Sequence, residues 1–107
     1  MKEKIGKMYV YSKCDVYFIT MNDDRGNVVF VQNLYNYSIE EIKNTVRTIN
    51  SVLKYLRIEK VDLFLKCDKE NKIILELLNN ISELNVLFNI KNLNQKEKNV
   101  EKVKKLI

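Results

Sequence analysis

The chain has 107 residues, enough for one domain and too few for two, and at 46% hydrophobic content it can build a core, which excludes wholesale disorder. Lysine and arginine number 19 against 14 acidic residues, a formal charge of +5; such a balance suits an anionic partner, most often nucleic acid, and otherwise gives only a solvated basic surface. There is no histidine, and Cys14 and Cys67 stand far apart without CxxC spacing, so a zinc site is nearly excluded and each cysteine is expected to be a small buried apolar residue.

The first residues, "MKEKIGKMYVYSKCD", never sustain an apolar run, so no signal peptide is expected, and no apolar stretch is long enough to span a bilayer. Residues 1–7 read as a basic lead-in. Met8 to Tyr11 suit a strand. Val16 to Met21, rich in β-branched and aromatic types, reads as a central strand. "NDDRGN" is a turn, because Asn and Asp tolerate left-handed backbone and Gly26 adopts it without steric cost. Val28 to Gln32 returns as the partner strand, which completes a three-stranded meander.

The period then changes. Ser38 precedes Glu41 at capping-box spacing, and Ile42, Val46, Ile49, Leu53 and Leu56 follow at helical steps, which predicts a helix over 39–56 with Lys43, Arg47 and Lys54 on its outer face. "KVDLFLKC" alternates strictly: Val61, Leu63, Leu65 and Cys67 share one face, while Asp62, Phe64 and Lys66 share the other. Asp68 can cap a second helix with Ile73, Ile74, Leu77, Leu78 and Ile81 facing inward. Asn85 to Ile90 reads as a last strand, and residues 95–107 as a basic, partly amphipathic tail. The order β-β-β-α-β-α-β predicts an α/β fold of ribonuclease-H-like kind: one mixed sheet with an antiparallel meander, parallel crossover pairs and helices packed on it.

That topology raises a two-metal nuclease, which would need converging carboxylates. The strand "YFITM" has none, Glu41 and Asp68 are explained as helix caps, and Asp23 and Asp24 belong to the turn. With no histidine there is no base to activate either cysteine, and with only Gly6 and Gly26 no glycine-rich phosphate loop is possible. No catalytic residue, metal or cofactor is therefore expected. Tyr9, Tyr11 and Tyr17 could stack on bases between lysines, or simply cover a sheet face.

With the elements in order, the stretch "YVYSKCDVYFITMNDDRGN" resembles, without a gap, the opening of the family of universal small-subunit ribosomal protein number eleven, the platform protein of the ribosome. Tyr9 and Tyr11 fall on that family's two histidines, Asp15 on its first asparagine and Thr20 on a threonine, while Asp23, Gly26 and Asn27 match its D-x-x-G-N turn. In "YLRIEKVDLFLKCDKE", Tyr55, Ile58, Val61, Asp62, Leu65 and Lys66 match in kind, "ILELLNNI" parallels the second helix, and "VLFNIKNLN" parallels the last strand with Asn89 and Ile90 identical. The similarity spans residues 8–94. The chain departs from the family in three places: the loop before the first helix has shrunk to "NLYNY", "CDKE" replaces a glycine-proline turn, and the C-terminal motif is missing from "QKEKNVEKVKKLI".

The resemblance implies a non-catalytic structural protein that binds small-subunit ribosomal RNA and neighbouring ribosomal proteins on the platform, near the path of exiting messenger RNA. Heavy use of Lys, Asn and Ile, with no Ala or Pro, is what AT-rich codons produce. Together with the eroded motifs, it implies an organellar ribosome, mitochondrial first and relict plastid second. The residues expected to contact RNA are Lys4, Lys7, Lys13, Arg25, Lys43, Arg47, Lys96, Lys98, Lys102, Lys104 and Lys105, which would replace counterions on phosphates. The alternatives are a small protein-interaction module, working through exposed apolar residues, and the metal nuclease.

Overall fold

The computed structural model describes residues 3–14, 16–34, 38–67 and 72–92. Within them the elements run β1 (Ile5–Lys13), β2 (Val16–Asn22), β3 (Val28–Leu34), α1 (Ile39–Leu56), β4 (Lys60–Lys66), α2 (Lys72–Ser82) and β5 (Leu87–Asn92). The order is the expected one. The five strands form one mixed sheet in the order β3-β2-β1-β4-β5, antiparallel between β1 and β2 and between β2 and β3, parallel between β1 and β4 and between β4 and β5.

Strand β1 begins at Ile5, so residues 5–7, expected in the lead-in, belong to the sheet. Gly6 hides this start because glycine has little strand preference of its own. The fit around it is tight: a Cβ at Gly6 would lie 3.3 Å from the Asn22 carbonyl oxygen and 3.4 Å from Ile58, so a side chain there would displace these neighbours by a few tenths of an ångström. The β2–β3 turn forms as the sequence predicts. Gly26 has φ +86°, and the Asp23 carboxylate accepts from the backbone N–H groups of Arg25 at 2.9 Å and Asn27 at 2.8 Å. A register shift beside Asn22 marks a bulge as the hairpin enters this turn.

Helix α1 keeps both predicted ends. The Ser38 hydroxyl accepts from the Glu41 N–H at 3.1 Å. At the other end Arg57 takes a left-handed conformation, φ 58° and ψ 39°, and the N–H groups of Arg57 and Ile58 close back on the carbonyls of Lys54 and Leu53. Helix α2 buries Ile73, Ile74, Leu77 and Ile81, while Leu78 is half-buried; its expected cap, Asp68, lies outside the described residues. Strand β5 runs two residues later than the sequence suggests. Its start is fixed by its partner: Leu87 pairs with Lys60, the first residue of β4, and the Leu87 N–H donates to the Glu59 carbonyl.

Both helices contribute to a single core and touch each other, so they lie on the same face of the sheet. That face carries Met8 and Val10 from β1, Ile19 and Met21 from β2, Leu34 from β3, and Val61, Leu63 and Leu65 from β4, all buried. Against them pack Ile42, Val46, Ile49 and Leu53 of α1 and the apolar stripe of α2. At roughly 1.5–3 kcal/mol per fully buried aliphatic side chain, this one-sided layer is the main stabilising term. Among the described residues, no element covers the opposite face.

Candidate nucleic-acid interface

The uncovered face follows from strand alternation. With Met8, Val10, Ile19, Met21, Leu63 and Leu65 turned to the helices, Lys7, Tyr9, Tyr11, Phe18, Thr20, Asp62, Phe64 and Lys66 must turn the other way. Register then lines them up across the sheet. Tyr11 sits beside Phe18 of β2 on one side and Lys66 of β4 on the other. One step along, Thr20, Tyr9, Phe64 and Lys91 form a row from β2 to β5, and one step further Lys7, Asp62 and Asn89 form another.

Two ring pairs result. Tyr9 stacks on Phe64, and Tyr11 stacks on Phe18, each pair with centroids 5.1 Å apart and planes 14° from parallel. Lys91 holds its ammonium 5.3 Å from the centre of the Phe64 ring, a cation–π contact. Between the pairs lies a shallow, mostly apolar cleft lined by Tyr9, Tyr11, Thr20, Phe64 and Lys66.

The charge of this face is predominantly positive. The five strands carry five lysines, Lys7, Lys13, Lys60, Lys66 and Lys91, and alternation places all of them on the uncovered side. The strands hold one carboxylate, Asp62, also on that side. Lys91 approaches Asp62 to 3.9 Å, and the Asn89 amide donates to it at 3.5 Å. Lys60 bonds Glu3 at 3.1 Å, an exposed pair of small energetic weight.

The expected RNA contacts fall in separate places. Lys7 and Lys13 are exposed on the open face. Arg25 is exposed at the hairpin tip. Lys43 and Arg47 are exposed on α1, on the helix side of the molecule, where they border a groove completed by Asn50, Asn80 and Glu83; the Arg47 guanidinium bonds Asn44 at 2.8 Å. Lys4 donates to the carbonyl of Leu56 at 3.3 Å and so helps close the C-terminus of α1. Lys96, Lys98, Lys102, Lys104 and Lys105 lie outside the described residues.

Two expectations need correction. Tyr17, considered for base stacking, is buried at 7% exposure, because its parity along β2 is that of Ile19 and Met21. Cys14 is exposed, not buried: it occupies the turn after β1 with φ 52°. Cys67 is buried, as expected, with its thiol 3.8 Å from the Val10 carbonyl. The interface residues that were not anticipated are Phe18, Lys60, Phe64, Lys66 and Lys91. The alternation in "KVDLFLKC" already grouped Phe64 with Lys66; their meeting with Tyr9 and Tyr11 depends on the β1–β4 register, which the sequence does not display.

The Asp23 carboxyl is held below its usual range chiefly by the Asn27 backbone N–H. Desolvation works against this, and the Arg25 N–H, the Asn27 side-chain amide and the Arg25 charge add to it. Among the described residues, no three His, Cys, Asp or Glu side chains converge as a metal site would require, and no helix is long and apolar enough to cross a membrane. No protein-family model matches the chain, and a search of curated proteins finds no match either.

Proposed function

We propose that the chain is a structural RNA-binding protein of a small ribosomal subunit, with a ribonuclease-H-like fold, in a divergent organellar ribosome, mitochondrial before plastid. The observation that carries the RNA-binding part is the one-sided sheet, whose strands present five lysines, one aspartate and two pairs of stacked aromatic rings on the uncovered face. A polyanion gains from such a face by releasing counterions, and the rings offer it contacts that duplex phosphates alone do not use. The ribosomal part rests on the collinear resemblance of residues 8–94 to the platform-protein family, with which the strand and helix order agrees. In that setting the domain contacts small-subunit ribosomal RNA and neighbouring ribosomal proteins and catalyses nothing.

A protein-interaction module is the second reading, favoured by the exposure of Val28 and Val31 on edge strand β3 and of Tyr55 on α1. The nuclease reading is weakened at Asp62, the one carboxylate within the strands, which faces Lys91 and Asn89. Titration of the full chain with small-subunit ribosomal RNA over a salt series separates these readings. The RNA reading predicts a linear fall of log affinity with log salt, and a weaker dependence after Lys7→Glu with Lys13→Glu. Salt-independent or absent binding would reject it.

A further inference from the structure

Tyr9 and Tyr11 are neighbours on one side of β1, yet they lean in opposite directions. Tyr9 stacks toward β4, on Phe64, and Tyr11 stacks toward β2, on Phe18. Each tyrosine therefore turns its second ring face away from its partner: Tyr9's toward Thr20, its register neighbour on β2, and Tyr11's toward Lys66, its register neighbour on β4. Thr20 is small, which leaves room above it in a mostly apolar cleft. Tyr11 is 38% exposed, so the cleft opens to solvent.

We propose that this cleft receives an unpaired nucleotide, its base stacked against Tyr9 and Tyr11 and its phosphates held by Lys66, Lys7 and Lys91. The proposal rests on the RNA-binding reading and names the part of the RNA that this face takes. A duplex hides its base faces and presents phosphates and sugars, for which two aromatic pairs have no use; an unpaired base presents a π-face and an edge. A second copy of the chain is disfavoured as occupant, because two such faces brought together would oppose five lysines with five lysines. Stacking uses the π-face that every base has, and the polar groups of the cleft, the rotatable hydroxyls of Thr20, Tyr9 and Tyr11 and the Lys66 ammonium, impose no fixed donor–acceptor pattern, so the site is tolerant of base identity.

The test uses the full chain and a short single-stranded RNA carrying the fluorescent base 2-aminopurine, with a duplex of the same length for comparison. The proposal predicts quenching on binding the single strand, weaker binding of the duplex, and a loss of roughly tenfold in affinity for each of Tyr9→Leu and Tyr11→Leu at unchanged salt slope. Tyr11→Phe, which keeps the ring, should bind as the parent does. Lys66→Gln should lower affinity and reduce the salt slope by about one. Leucine preserves an apolar strand residue, and thermal melts confirm that each variant is folded; quenching by the parent chain needs no variant at all. Absence of quenching, or leucine variants that bind like the parent, overturns the cleft. If ribosomal RNA is still bound then, the RNA-binding reading survives without it. If no RNA binds in any form, both fall. A stable homodimer that resists RNA likewise overturns the proposal in favour of a protein partner.

Discussion

One carboxylate organises the hairpin tip. Asp23 accepts from two backbone N–H groups and from the Asn27 side chain, and its own N–H and carbonyl close the turn with Asn27 and Gly26. Because the folded state lowers this pKa, the stabilisation is fully present above the unfolded value, about 3.9, and is lost as pH falls through the lower folded value. Asp23→Ala is therefore expected to lower the urea midpoint at neutral pH, and the gap between parent and variant should close on acidification below about pH 4. A gap independent of pH would mean that the charge has no part in the turn. The turn was legible in "NDDRGN", where Asn, Asp and Gly are the types that tolerate its backbone; which aspartate would bind it was not. Cys14 shows the opposite failing. Its average tendency to be buried gave the wrong answer because a two-residue link between β1 and β2 leaves no depth to bury it in.

At the scale of elements, α1 was legible to the residue, α2 by its inward face, and the strands less so. Helix α1 has a capping signal at its start and a regular apolar stripe that ends at Leu56, so its bounds agree with the sequence reading. Strands β1 and β5 take their bounds from partners: β1 extends back to Ile5 because β4 pairs with it there, and β5 starts where β4 starts. The same dependence on register concealed the ring pairs. Helix α1 also ends on a compromise, since Arg57 holds a left-handed conformation that a side chain disfavours. Arg57→Gly should raise stability by roughly 0.5–1 kcal/mol, the relief of that conformation less the greater chain entropy of glycine, as read from denaturant unfolding. A loss of stability would show that the Arg57 side chain contributes more than its backbone costs.

Across the whole molecule, the two sides of the sheet have different physical roles. One side holds the core against both helices; the other carries every strand lysine together with the stacked rings. The helix surface is mixed by comparison, with Glu40 and Glu41 near the start of α1 offsetting Lys43 and Arg47. The sequence displayed the overall positive charge but not its sidedness, which arises only when three separate strands, β1, β4 and β5, align. This placement orders the expected contacts: the open face should dominate RNA binding, and α1 should add a secondary, salt-sensitive contribution. The measurement that tests the account most directly is density-gradient sedimentation of the tagged chain from its native cells, with and without ribonuclease and high salt. The account predicts comigration with a small ribosomal subunit, lost on ribonuclease treatment. Migration as a free small protein, or in a complex that ribonuclease leaves intact, would contradict it.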